Sequence, residues 1–272
     1  MKLVYFGNDA LASTVDAFLD YGWSIAAFYV SPIEGVQKEI ETRAKQLSAP
    51  VYSEKPQLAG MQKHVEAGTN MFFAAEYLHK IPVPYNLQYA VNLHTSLLPI
   101  GRGACPLPNI LEKNTKAAGL TLHKLTKIFD QGDIVLQQKI NVCPSDSLNT
   151  LTVKLSVAAP QILRRFLGDL EGLYNKALPQ SAGEDWPVPP ANARMLDWGL
   201  TVDRLNRRIK AFGHLGTIIK MDDKYWRVVF AEAIAGQHHG RPGDLIFRTN
   251  DLIAVACLDG FVCIPCKALV SI

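Results

Sequence analysis

The chain holds no run of about 18 apolar residues, so a membrane-spanning helix is not expected. Its first tight turn, Gly7-Asn8-Asp9, lacks the G-x-G-x-x-G spacing; a dinucleotide fingerprint is thereby missing, and Gly7 is read as the residue that permits the turn. Cysteine is scarce. The five present are odd in number and form no disulfide-like framework, and the opening Met1 to Gly7 is already strand-like rather than a signal peptide. These features lead to the expectation of a reduced, cytoplasmic protein. Charge of one sign is also scarce: a net charge of +3 is too small to imply a nucleic-acid partner by itself. What is present, 272 residues of which 48% are hydrophobic, suits one large domain or a large one with a small companion.

From the start, Lys2 to Phe6 reads as a buried strand, Leu11 to Tyr21 as a helix, Ser24 to Val30 as a strand, Gln37 to Gln46 as a polar helix and Pro50 to Tyr52 as a short strand. Met71 to Ala75 adds another apolar strand, followed by a loop from Glu76 to Pro84. Strands alternating with helices argue for a Rossmann-like α/β domain with a mostly parallel sheet covered on both faces. Pro106 to Lys113 reads as a short helix. Gly119 to Leu125 and Ile134 to Val142 read as strands joined by a connection compatible with a hairpin. Asp146-Ser147 can cap a helix whose stripe Leu148, Leu151, Leu155, Ala158, Ile162, Phe166 and Leu170 steps by three or four, with a kink expected at Pro160. Pro179, Pro187, Pro189 and Pro190 mark a linker. Domains are accordingly expected over 1–180 and 197–272, with a linker over 181–196. The second region opens with an amphipathic helix and continues in five short β runs, Thr217 to Met221, Trp226 to Ala231, Asp244 to Phe247, Leu252 to Ala256 and Phe261 to Ile264, a pattern that suggests a small OB-like barrel.

The informative stretch is Val91 to Pro106. Asn92 and His94, two apart at a strand's C-terminal end, point to the same face because side chains alternate. That end of a parallel strand is where ligands bind. Gly101-Arg102-Gly103 follows, where backbone can approach a ligand closely, and Asp130 supplies a carboxylate further on. Asn92 and His94 alone would be read as buried polar residues satisfied at a strand end. The combination changes that: Asn-x-His-x-Ser-Leu-Leu-Pro, then Arg102-Gly103, then Asp-x-Gly-Asp at Asp130 to Asp133 resembles the formyltransferases that use 10-formyltetrahydrofolate. The C-terminal region is similar to the same family in Asp197-Trp198, in Arg208 to Phe212 and in Arg241 to Asp244. Asp133 also flanks Gly132, but Asp130 matches the family's catalytic position. His79, His123, His238 and His239 lack ligand-like partners in the sequence and are read as surface or core histidines. No metal site is expected, and Cys263-x-x-Cys266 reads as structural.

The resemblance implies an N-formyltransferase with 10-formyltetrahydrofolate as donor. Asn92 and His94 would donate hydrogen bonds to the oxyanion that forms when an amine attacks the formyl carbon, and Asp130 would orient His94 and accept the amine's proton. It further implies folate contacts at Phe73, Ala74, Ala75, Glu76 and Tyr77, at Ser96, Leu98, Arg102 and Gly103, and at Leu125, Ile128 and Phe129, largely through backbone. The sequence Ala74-Ala75-Glu76-Tyr77 departs from the Ala-Tyr-Gly common in tRNA-acting members.

Those tRNA-acting members carry a long basic loop after the second strand. The corresponding Ser31 to Glu41 is short and holds at least as much acid as base, so it lacks the charge for grasping phosphates. From Thr201 onward, 10 Lys/Arg stand against 7 Asp/Glu, while residues 1–200 hold 18 of each; the C-terminal region is only weakly basic. A small acceptor follows as the expectation, and the resemblance to members with a trimmed loop and a similar C-terminal region implies a nucleotide-linked amino sugar first, a hydroxyornithine-type amino acid second and methionyl-tRNA third. A folate-binding protein or deformylating hydrolase is the reading of another class. A nucleic-acid partner is not expected, and a homodimer is compatible with a β-rich appendage that packs on a second subunit.

Overall fold

The computed structural model describes residues 1–31 and 37–272. Part of the Ser31 to Glu41 segment, residues 32–36, therefore lies outside the described residues. The chain divides into two compact units, one of Met1–Pro106, Lys116–Asn141 and Thr152–Pro187, the other of Leu107–Thr115, Val142–Leu151 and Val188–Ile272.

The first unit is built on a seven-stranded sheet. Its strands are β1 (Lys2–Gly7), β2 (Ser24–Tyr29), β3 (Val51–Tyr52), β4 (Met71–Ala75) and β5 (Tyr89–His94), with β7 (Gly119–Lys124) and β8 (Ile134–Lys139) beyond the short β6 (Ile100–Arg102). The order is β3-β2-β1-β4-β5-β7-β8. Pairings from β3 through β5 are parallel, while β5–β7 and β7–β8 are antiparallel. The expected hairpin is the β7–β8 pair. Leu3, Val4, Tyr5 and Phe6 are all fully buried, as a central strand covered on both faces requires.

Helices α1 (Thr14–Asp20), α2 (Lys38–Gln46) and α3 (Leu58–Glu66) follow β1, β2 and β3. The helix expected over Leu11 to Tyr21 is in fact a 3-10 turn, Asp9–Leu11, followed by α1. Helix α3, absent from the sequence reading, is nine residues long and buries Met61, with Val65 packed against the core beside it. No helix links β4 to β5; the connection is a loop containing Pro82 and Pro84.

The short helix α4 is Pro106–Glu112, and α5 runs unbroken through Pro160 from Leu148 to Gly168. Its N-terminus is closed reciprocally: Thr150 N donates to Ser147 Oγ (3.3 Å) and Ser147 N donates to Thr150 Oγ1 (2.8 Å). The stripe does not extend to Leu170, which begins a separate helix α6 (Leu170–Asn175) after Asp169. The segment expected to be plain linker contains β9 (Glu184–Asp185), which pairs parallel with β6, and Trp186, 3% exposed.

In the second unit, α7 (Val202–Phe212) buries Val202, Leu205, Ile209, Ala211 and Phe212. Seven strands follow rather than five: β10 (Thr217–Met221), β11 (Lys224–Val228), β12 (Glu232–Ala235), β13 (Leu245–Arg248), β14 (Leu252–Ala256), β15 (Gly260–Pro265) and β16 (Leu269–Ser271). They form two sheets, β10-β11-β16 and β12-β15-β14-β13. The two strands missing from the sequence reading, β12 and β16, are three or four residues long and offer too little alternation to be seen. A cluster including Leu196, Leu205, Ile219, Val228, Ile253 and Val262 is its core. The five cysteines are all free thiols. No helix among the described residues is long and apolar enough to cross a membrane.

Candidate active site

Strand β5 ends at His94, and its alternation turns Asn92 and His94 to one face. Antiparallel β7 lies alongside with Asn92 opposite His123 and His94 opposite Thr121. Directly opposed residues of such a pair share a face, so His123 joins the two motif residues. The loop between β7 and β8 then brings Asp130 back over them, with its backbone in the left-handed region at φ 56°. His94 and Asp130 are each 8% exposed and His123 2%, while Asn92 is half-buried.

Oδ1 of Asp130 is the common point. It lies 3.4 Å from Asn92 Nδ2, 3.5 Å from His94 Nδ1 and 3.4 Å from His123 Nε2. Oδ2 accepts a hydrogen bond from the Gly103 amide at 2.8 Å. His94 Nε2 lies 2.7 Å from the Gly101 carbonyl, so this nitrogen carries the proton and donates. His123 Nδ1, 2.9 Å from the Lys124 carbonyl, donates likewise; its Nε2, 2.9 Å from Asn92 Nδ2 and 3.4 Å from Asp130 Oδ1, accepts from the amide in the neutral ring and donates to the carboxylate in the protonated one. Asn92 thus spends one amide proton on an imidazole and directs the other at a carboxylate.

Burial alone would raise the Asp130 carboxyl. The charge of His94, the hydrogen bond and charge of His123 and the Gly103 amide outweigh it and hold the group down to about 2. For His94, burial pushes the imidazole below its ordinary value, against the opposing pull of Asp130 and the Gly101 carbonyl. The two directions meet in one arrangement at neutral pH, an ionised Asp130 against a neutral His94.

Gly101 and Gly103 have φ of 81° and 103°, which L side chains rarely adopt. A Cβ on Gly101 would lie 2.7 Å from the Trp186 ring, and one on Gly103 would lie 3.0 Å from the Trp186 carbonyl. These glycines therefore serve packing against Trp186 as well as delivering Gly101 O and Gly103 N to the cluster.

The remaining residues singled out in the sequence fall into two groups. Phe73, Ala74 and Ala75 are buried in β4, with the Phe73 ring against Tyr5 and Phe18. Ser96 Oγ donates to the carbonyls of Ile100 and Gly101, Leu98 is 2% exposed before a cis Pro99, and the Arg102 guanidinium is held by Gln180 and the Ser181 carbonyl. Tyr77 packs against Phe6, Leu125 packs on the same core cluster, and Glu76, at φ 57°, accepts the Asn8 amide through its carbonyl. By contrast, Ile128 and Phe129 present 59% and 47% of their surface directly before Asp130. His123, read from the sequence as a surface or core histidine, is buried, and its ring lies 3.4 Å from Asp130 Oδ1 within the cluster. Gln180, which donates to the carbonyls of Asp130 and Gly132, also escaped the sequence reading. Among the described residues, no group of three His, Cys, Asp or Glu side chains is arranged to hold a metal.

Residues 66–167 match the family model described as Formyl transferase. The methionyl-tRNA formyltransferase of Streptococcus suis is 26% identical over 281 residues, covering 95% of this chain and 88% of that protein. Among solved structures, the N-formyltransferase from Helicobacter canadensis, in complex with folinic acid and dTDP-3-aminofucose, superposes with a TM-score of 0.68 at 14% identity, covering 97% of this chain and 98% of that one. HypX from Aquifex aeolicus in complex with tetrahydrofolic acid gives a TM-score of 0.70 at 14% identity, and this chain spans 43% of its length. At such identities the structural likenesses concern the fold. The match of residues 66–167 to the Formyl transferase model and the likeness to these relatives agree with the motif read in the sequence. Formyl transfer from a folate donor is the activity that these matches support.

Proposed function

We propose that this enzyme formylates the primary amine of a nucleotide-linked amino sugar, with Asn92, His94 and Asp130 as the catalytic side chains. The observation that carries the site reading is the convergence of one amide and two imidazoles on a single buried carboxylate oxygen at 3.4 to 3.5 Å. The attacking amine must be neutral and must lose a proton as the new C–N bond forms. Asp130 is the ionised base within the cluster, and the proton it accepts can pass to His94 Nδ1. Negative charge gathering on the formyl oxygen calls for donors, and the partly exposed Asn92 amide can turn to it the N–H that makes the long 3.4 Å contact with Asp130.

10-Formyltetrahydrofolate supplies the formyl group. The exposed Ile128 and Phe129 offer its ring system an apolar surface beside Asp130. Side chains of Ser96, Leu98 and Arg102 are engaged within the protein, so their part in holding folate falls to backbone groups. The C-terminal sheets are read as an OB-type module.

The acceptor reading rests on Ser31 to Glu41, which has three glutamates, Glu34, Glu39 and Glu41, against the single Lys38. Such a segment repels a tRNA backbone. The solved N-formyltransferase bound to dTDP-3-aminofucose supports the same class of acceptor. Relatives named methionyl-tRNA formyltransferase, aligned over 95% of the chain, favour tRNA as the second reading. Direct competition decides: amino-sugar nucleotides such as dTDP-3-aminofucose are expected to show the higher kcat/KM, and a higher kcat/KM for methionyl-tRNA than for every amino-sugar nucleotide tried refutes the proposal.

A further inference from the structure

Gln180 stands between α6 and β9, and every hydrogen-bonding position of its side chain is used. Nε2 donates to the carbonyls of Asp130 (2.8 Å) and Gly132 (2.7 Å), while Oε1 accepts from Arg102 Nε (3.0 Å) and Nη2 (2.9 Å). Two protons and two lone pairs are thereby satisfied, a pattern specific to an amide of this length. A glutamate has nothing to donate, a lysine nothing to accept, and an asparagine falls one methylene short.

The two loops that this amide joins are the ones that set the geometry of the cluster. One carries Asp130, held at a positive φ. The other carries Arg102, whose neighbours supply the Gly101 carbonyl to His94 and the Gly103 amide to Asp130 Oδ2. Trp186 reinforces the same link, its amide donating to the Arg102 carbonyl at 2.6 Å.

We infer that Gln180 is a positioning residue for formyl transfer: it ties the backbone of Asp130 to the Arg102 loop and so fixes the carboxylate's direction relative to His94 and Asn92. It acts through those residues rather than on the reacting atoms. The inference rests on the catalytic role proposed for Asp130.

The test uses the full chain with 10-formyltetrahydrofolate and whichever of dTDP-3-aminofucose and methionyl-tRNA turns over faster. In Gln180→Glu, the pairing to Arg102 survives while a carboxylate oxygen faces two carbonyl oxygens; Gln180→Leu removes both sets of bonds. A displaced catalytic group lowers the chemical step more than binding. Expected is a fall in kcat of about 10- to 100-fold in each variant, with KM for the folate changed less than about threefold. Adding Gln180→Leu to Asp130→Asn should cost little more than Asp130→Asn alone, because the two act as one unit. The positioning role is overturned if folded Gln180→Glu keeps kcat within about twofold of wild type while Asp130→Asn is slow, or if KM rises at constant kcat. Wild-type turnover by Asp130→Asn overturns the catalytic reading and this inference with it. Where Gln180→Leu does not fold, Gln180→Glu, of nearly the same size, decides alone.

Discussion

Replacing Asp130 with asparagine separates stability from catalysis in this site. The substitution keeps the shape and removes the charge. The new side-chain amide can present its oxygen to the Gly103 amide, 2.8 Å from the present Oδ2, and its NH2 to the unprotonated Nδ1 of His94, 3.5 Å from the present Oδ1. A neutral amide therefore finds an acceptor and a donor in the resting arrangement, and the fold at neutral pH should be little affected. The active arrangement is different. In the proposed mechanism a proton is taken up as the amine attacks, and His94 becomes positive. Asp130 at 3.5 Å stabilises that imidazolium by about 5 kcal/mol at an effective dielectric of about 20, which sets a ceiling of about 10³-fold on this contribution. Loss of a general base costs about 10²- to 10⁴-fold. The effects overlap, so a drop in kcat of about 10²- to 10⁴-fold is expected, read as tetrahydrofolate release with a saturating amine acceptor, beside a thermal midpoint within a few degrees of wild type. Turnover within about tenfold of wild type in a folded Asp130→Asn variant would refute the assignment of Asp130 as the base.

The shifted groups also predict the direction of acid sensitivity. His94 is depressed below its usual 6.5, so burying it neutral costs stability as pH falls below the unfolded value; Asp130, held near 2 against an ordinary 3.8, contributes stability present above about 4 and lost as pH falls toward 2. Thermal melts should fall progressively from about pH 6.5 downward, and the loss between about pH 4 and 2, on the order of 2 kcal/mol for Asp130, should shrink in Asp130→Asn; a midpoint that stays level or rises on acidification contradicts this. Gly132→Ala should be among the most damaging glycine changes, because its Cβ would lie 1.8 Å from the Lys124 carbonyl, whereas at Gly22 nothing lies within 4 Å. Denaturant titration should show a loss of about 1–3 kcal/mol or more for Gly132→Ala and about 1 kcal/mol for Gly22→Ala, where only the positive φ is at issue, and equal losses would speak against steric confinement of the Asp130 turn.

What could be read from the sequence and what could not follow from where each piece of information resides. Asn92 and His94 are legible because period-2 alternation within one strand fixes their common face without knowledge of the rest of the fold. Asp130 is legible only through its spacing in a motif, since nothing in the loop itself says that it folds back over β5. His123 was missed because its role depends on the register of β7 against β5, which sets it opposite Asn92; register is a property of two strands and has no signature in either. Gln180 was missed for a related reason. It sits in a proline-bearing stretch that composition marks as linker, and composition does not disclose that the stretch returns to pair with β6. The parallel core strands were plain because they are apolar throughout, and α3 was missed because its stripe of Leu58, Met61 and Val65 is confined to nine residues.

The same geometry explains a further feature of the motif, the serine two residues after the histidine. In the resting site the Nε2 proton of His94 is directed at the Gly101 carbonyl, 2.7 Å away, and Nδ1 faces Asp130. For His94 to donate to a formyl oxyanion, Nε2 must release that carbonyl, which would then be left buried without a partner at a cost of about 1–3 kcal/mol. Ser96 offsets part of this penalty, at the expense of its own bond to the Ile100 carbonyl. Its hydroxyl lies 3.3 Å from the Gly101 carbonyl and 2.7 Å from that of Ile100, so its proton can shift toward Gly101 as the imidazole leaves. Ser96 itself is fully buried, so water does not compete for that position. On this argument the Asn-x-His-x-Ser spacing places two groups that face the reaction and one that lets the second of them turn to it. The Gly101–Gly103 loop is the fixed partner against which that exchange takes place, held by Trp186 and Gln180 on its far side.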